Sequence, residues 1–187
     1  ISVEPVADGI ACQVIAPFAN SQGDVMHQEQ VYSSGIAHFG TPPQIEPINP
    51  GTPIFGWSPF YYPEEVVIAH GQPMQCLNQL DYKHGGGRAR LNSGSVQQVM
   101  GDRQPRAMKV ASLVLDGSMV CCGFYGFCML ETSVGLPHSI REYRQVRQPK
   151  EFETCTLRFF YQSSNEVGDV HDFVVLGEAG DVIMEVK

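Results

Sequence analysis

The chain has 187 residues, 43% of them hydrophobic, with 12 Lys and Arg against 20 Asp and Glu for a formal net charge of −8. That length buries one good core, or one domain plus an appendage. The acidic balance excludes nonspecific nucleic-acid binding, which needs a basic surface to displace counterions.

Cys12, Cys76, Cys121, Cys122, Cys128 and Cys155 lie mostly inside apolar runs, with no Cys-x-x-Cys pair and no His at metal-ligand spacing. They read as buried free thiols of a reducing compartment, so a cytoplasmic location and no metal are expected. The sequence opens at Ile1 without a basic, apolar stretch, so no signal peptide is expected within it. A start without methionine, directly in strand-like sequence, is what a piece of something longer would give.

Ile1 to Phe18 reads as two strands around an Asp8-Gly9 turn, and Asn20 to Asp24 as a polar turn into a third strand. Three strands without a helix to cover their apolar face need something else to lean on. Between 42 and 63 seven prolines fall in twenty-two positions, which removes backbone donors and helical dihedrals and predicts an extended connector. Trp57, Phe60, Tyr61 and Tyr62 make its second half adhesive. Next come a turn or short helix, a strand, a Gly-rich turn at Gly85 to Gly87, and a strand. The three glycines beside Lys83, Arg88 and Arg90 lack the Gly-Lys-Ser/Thr ending of a phosphate loop, so a hairpin turn is preferred. The stretch 97–106 reads as a loop. The tail is β: EFETCTLRFFYQ, VHDFVVLGE and GDVIMEVK, joined by turns at Ser163 to Gly168 and Gly177 to Gly180.

The stretch Val110 to Leu130 is the most apolar run and carries one ionisable carboxylate, Asp116. Three readings compete. Asp116-Gly117 between two β-prone runs is the strongest short hairpin signal. Alternatively Asp116 opens a buried helix, with Gly117, Ser118, Gly123 and Gly126 letting backbones approach. A membrane span matches the length, but a mid-span acid is costly and the strands elsewhere look soluble.

Three short elements in order break the tie. They are His70-Gly71-Gln72-Pro73-Met74, then Leu115-Asp116-Gly117-Ser118-Met119-Val120, then Leu136-Pro137-His138-Ser139-Ile140. Their order and spacing resemble the second half of the dehydratase domain of modular polyketide synthases and polyketide-like fatty acid synthases. That family carries Tyr-Gly-Pro-x-Phe, Asp-x-x-x-Gln/His and Leu-Pro-Phe-x-Trp elements at corresponding places. The resemblance covers about the last two-thirds of the chain. It implies an α+β hot-dog fold, a curved antiparallel sheet wrapped around a central helix near 115–130, as the second half of a double hot dog. On that reading residues 1–41 are closing strands of a first hot dog, 42–63 a Pro-rich linker and 64–187 the second hot dog. Asp116 then stands at the start of the helix, against the local hairpin preference.

In such dehydratases a histidine from the first hot dog removes the α-proton of a 3-hydroxyacyl thioester, and the aspartate of the second protonates the departing hydroxyl. The resemblance therefore implies Asp116 and His70 as catalytic residues, Gly71, Pro73, Met74, Val120, Leu136 and Pro137 as substrate-binding ones, and no cofactor beyond the phosphopantetheine of a carrier protein. It implies as partners an acyl carrier protein and other synthase domains, with no nucleic acid and no membrane, and leaves a homodimer open. Asp116 must hold its proton for this task, which apolar neighbours favour and a helix N-terminus opposes. The competing role for it is a helix N-cap. His70 falls where the family has a tyrosine that orients the aspartate, and imidazole can also bond a carboxyl or act as base. A plain loop histidine is the alternative.

Val120 replaces Gln or His, Met74 replaces Phe, and His138 and Ile140 replace Phe and Trp. No His-x-x-x-Gly-x-x-x-x-Pro element, which carries the family's base, occurs in the sequence. A non-catalytic acyl-binding hot dog and a product-template-type cyclase are therefore carried as alternatives. Arg141, Arg144, Arg147 and Lys150 form a cationic strip that could dock an acidic carrier, with a solvated strand or loop face the preferred account.

Overall fold

Alternating apolar positions near the C-terminus become the inner face of a large sheet. The computed structural model describes residues 1–40, 56–62, 70–103 and 110–187; most of the Pro-rich connector and the segment 104–109 lie outside them. The chain divides into two units, Ile1–Pro43 and Gln44–Lys187.

The first unit is a three-stranded antiparallel sheet of β1 (Ser2–Val6), β2 (Gly9–Ala19) and β3 (Val25–Ala37), in that order. Val6 pairs with Gly9, so Ala7 and Asp8 form the tip of the first hairpin, one residue earlier than the Asp8-Gly9 signal suggests. The second turn is held by Asn20, whose Oδ1 accepts from the backbone N–H groups of Gln22 and Asp24, both at 2.9 Å. Short polar side chains fold turns in this way by mimicking a backbone acceptor.

The second unit contains β4 (Ser58–Pro59), a single 3₁₀ turn at Gln72–Met74, β5 (Leu77–Lys83), β6 (Gly86–Asn92), α1 (Val96–Met100), α2 (Ser112–Met129), β7 (Tyr143–Gln145), β8 (Thr154–Ser164), β9 (Asp169–Leu176) and β10 (Val182–Val186). Its seven strands form one sheet in the order β4-β5-β6-β8-β9-β10-β7, every neighbouring pair antiparallel. Side chains alternate across a pleated strand, so the register sorts residues into rows. Leu80, Ala89, Leu157, Val175 and Met184 make one inward row, and Tyr82, Gly87, Phe159, Phe173 and Val186 the next. The Gly-rich run is the tight hairpin. Gly85 has φ +80°, and a Cβ on Gly87 would lie 2.8 Å from the ring of Phe159.

Helix α2 lies against β5, β6, β8 and β9, giving the hot-dog arrangement. It is 18 residues with mean hydropathy 1.4, long and apolar enough to cross a membrane by composition, yet half of it is buried inside the unit. It is a core helix here. Leu113, Val114, Val120 and Tyr125 are at most 6% exposed, and each contributes roughly 1.5–3 kcal/mol by burial. That sum outweighs a strand or turn preference on the order of 1 kcal/mol, which is why the Asp-Gly dipeptide sits inside a helix. The start of α2 is capped from a distance. Ala111 offers no side-chain cap, and its N–H donates to Gln145 Oε1 at 2.8 Å and to the Tyr143 hydroxyl at 3.3 Å. All six cysteines are free, and four of them are buried.

One expectation needs correction. Residues 97–100, the first part of the stretch read as loop, belong to the short helix Val96–Met100, with Ser95 accepting from the Gln98 N–H. Two members of the cationic strip are ion-paired. Arg144 pairs with Glu142 and Glu185, and Arg147 with Glu153 and Asp181.

Candidate active site

The helix opens four residues before Asp116, so the carboxylate projects from the second turn. An N-cap role is thereby removed: the cap position is Ala111, and Asp116 bonds no amide at the helix start. What brings the second turn close to β5 is Gly117, where an added Cβ would stand 3.2 Å from Cys76 Cβ and 3.4 Å from Leu91 Cδ2.

Facing Asp116 is the tightly wound segment 70–76. The Met74 N–H donates to Gly71 O at 2.8 Å, the Cys76 N–H to Met74 O at 2.9 Å, and Gln75 Nε2 to His70 O at 3.0 Å. These bonds fix the backbone of His70 just ahead of the 3₁₀ turn. Its Nε2 lies 2.8 Å from Asp116 Oδ2, with the histidine side chain 7% exposed and the aspartate 28%. His70 is the only polar partner of Asp116 among the described residues. The imidazole is thus shielded while the carboxyl keeps an open side, the geometry of a group that can pass a proton outward.

Two neighbours were given no site role from the sequence. The ring of Tyr62 lies 5.5 Å from that of His70, and its hydroxyl oxygen accepts from the Leu77 N–H at 2.9 Å. Burial pushes this phenol up to about 12. Burial, and then the Asp116 charge, push the Cys76 thiol up to about 11. Both groups keep their protons at neutral pH, so neither competes as a base. An aromatic residue inside the Pro-rich connector carries no spacing signal, and a lone Cys before a strand carries none either.

The other candidates are dispersed. Gly71 and Pro73 are exposed on the 3₁₀ turn and Met74 is half-buried there. Val120, one helical turn beyond Asp116, is 6% exposed and part of the core. Leu136, 62% exposed, and Pro137 lie on the surface segment between α2 and β7, and no hydrogen bond joins either to the His70–Asp116 pair. Among the described residues no three His, Cys, Asp or Glu side chains gather as a metal site.

No protein-family model matches the chain. No curated protein matches it at a significant level. Its fold is similar to the solved structure of an enoyl-isomerase of a trans-acyltransferase polyketide synthase, with a TM-score of 0.58 and 14% identity over 99% of this chain and 69% of that one. At that identity the likeness establishes the fold: α+β, a long central helix against a large antiparallel sheet, as in dehydratase-like hot-dog domains.

Proposed function

We propose that this chain moves protons on an acyl thioester delivered by an acyl carrier protein within a polyketide or fatty acid synthase, and that its reaction is the removal of water from a 3-hydroxyacyl thioester. The observation that carries this reading is the His70–Asp116 contact of 2.8 Å with one carboxyl face open. The motif order in the sequence and the hot-dog fold support it. In the reaction a base takes the α-proton, and the electron pair left behind forms the Cα=Cβ bond. The β-hydroxyl departs as water with a proton from Asp116. His70 then orients the carboxyl and shares its proton, while the α-proton goes to a histidine of the partner hot dog that the family pattern requires. The substrate hangs on phosphopantetheine, the synthase partners are domains of the same assembly, and the location is cytoplasmic.

A second reading is favoured by the pairing itself. An acid and a base already in contact can take a proton from Cγ of an enoyl thioester and return it to Cα, shifting the double bond with no atom lost. The neighbouring structure is that of an enoyl-isomerase.

One experiment separates these. The full polypeptide and its Asp116→Asn variant are given carrier-bound 3-hydroxyacyl and enoyl thioesters in D₂O, and products are followed by mass spectrometry. Dehydration predicts loss of water from the hydroxyacyl substrate, slowed about 10²- to 10⁴-fold by the substitution. A moved double bond with deuterium uptake and no loss of water selects the second reading. Unchanged turnover in a folded Asp116→Asn protein overturns both. Binding without exchange marks a non-catalytic acyl-binding domain, and turnover of a polyketone alone a product-template-type cyclase.

A further inference from the structure

We infer that Tyr62 is a positioning residue that holds the imidazole of His70 in line with Asp116, an inference that rests on the acid–base reading of that pair. A series of rings runs from the central helix to the histidine. Phe124 of α2 meets Phe60 edge to face, with centroids 5.0 Å apart. Phe60 meets Tyr62 in the same way at 5.0 Å, and Tyr62 lies tilted on His70 at 5.5 Å.

The far end of Tyr62 is pinned as well, because its hydroxyl oxygen takes the N–H of Leu77, the 2% exposed first residue of β5. The helix that carries Asp116 thus also sets the place of its partner, through Phe124, Phe60 and Tyr62. This matters because the terminal torsion of a histidine ring is soft and broad. The Tyr62 ring, tilted against the imidazole, adds a packing restraint on that torsion beside the hydrogen bond at Nε2. Tyr62 also lines a cleft of about 460 Å³ with Phe60, Gln75, Leu77 and Asn78, so it is placed between that cleft and the pair.

The test is nitrogen NMR of the histidine rings in the full polypeptide, with the His70 signals assigned by their loss in His70→Gln. Tyr62→Phe keeps the ring and is expected to leave the ring-nitrogen signals of His70 unchanged. Tyr62→Leu removes the ring and is expected to shift and broaden them as the imidazole gains freedom. It should also lower kcat about tenfold with KM little changed, restored in Tyr62→Phe. A purely structural tyrosine would leave the His70 signals as they are. Unchanged His70 ring signals in folded Tyr62→Leu overturn the inference. Should that variant not fold, Phe60→Leu removes the preceding ring, and unchanged signals there overturn it equally. Because this readout needs no turnover, its failure is distinguishable from failure of the acid–base reading, which the Asp116→Asn assay detects separately.

Discussion

Two acid–base pairs in the larger unit have similar contact distances and opposite surroundings. Asp116 meets His70 at 2.8 Å, is 28% exposed, and has no further polar partner among the described residues. Glu153 meets Arg147 through both terminal guanidinium nitrogens, Nη1 and Nη2, at 2.9 and 2.7 Å, and is 4% exposed. It also accepts from the backbone N–H groups of Lys150 and Glu178. Four donors saturate one carboxylate, while the other keeps an unused oxygen facing solvent. The saturated pair ties the segment before β8 to the turn between β9 and β10, where a fixed charge state serves stability. The open pair can change its protonation without tearing the fold, which is what proton transfer requires.

The comparison is broken most directly by exchanging the expected effects. Asp116→Asn is expected to leave the thermal midpoint nearly unchanged while activity falls about 10²- to 10⁴-fold. Glu153→Ala is expected to cost about 1.5–3 kcal/mol in urea unfolding, as for hydrogen bonds to a charged group, with kcat of the remaining folded protein retained. A stability loss confined to Asp116→Asn, or an activity loss confined to Glu153→Ala, would reverse the assignment.

The two carboxylates also differ in what acid does to them. Arg147 first, and then the two backbone N–H groups, hold Glu153 down to about 2 from an ordinary value of 4.5, against the opposing effect of burial. Its folded-state value is depressed, so its contribution to stability is complete above about 4.5 and is lost as pH falls through about 2. Unfolding followed from pH 5 to pH 2 should therefore decline less steeply in Glu153→Ala than in the parent chain. Parallel curves would show that the Arg147 corner does not store stability in this way.

Helix packing supplies a third test. At Gly117 an added methyl group would press on Cys76 and Leu91, and overpacking of a filled core costs typically 1–3 kcal/mol. The gain in helix propensity from Gly to Ala offsets about 1 kcal/mol of that. Gly117→Ala is thus expected to lower stability by about 1 kcal/mol and activity by more than its stability loss explains, because the residue next to Asp116 must shift. Full activity in the variant would show that the acid tolerates displacement.

How far the sequence carried these conclusions depends on where each signal resides. Strands β8, β9 and β10 were legible because alternation and turn residues are local, as was the hairpin at Gly85. The Asp116–His70 pair was legible through the order of three short elements, since 46 residues separate partners that no periodicity connects. The helix start was not legible. Its first amide is satisfied by Gln145 and Tyr143, more than thirty residues further on, and the local Asp-Gly signal pointed to a hairpin that core burial overrode. Tyr62 was hidden for the same reason, its role depending on Phe124 and His70 from other segments. A linear count of Arg and Lys in the cationic strip also leaves out Glu153, Asp181 and Glu185, which pair with Arg144 and Arg147 from other segments.

The smallest expected effect comes from a signal that was present and passed over. Ser95 and Gln98 have the spacing of a capping pair, serine followed three residues later by glutamine, and the Ser95 hydroxyl accepts from the Gln98 N–H while donating to Glu151. The neighbouring Ser93 hydroxyl donates to Lys150 O at 2.6 Å and accepts from the Glu153 N–H at 2.8 Å. This serine pair therefore belongs to the saturated corner of the molecule and touches neither His70 nor Asp116. Losing a helix cap costs about 1 kcal/mol, so Ser95→Ala should lower the unfolding free energy by that amount and leave kcat/KM where it was. A loss of activity beyond the loss of folded protein would mean that the two corners are coupled, and the division between a structural and a reactive carboxylate would have to be redrawn.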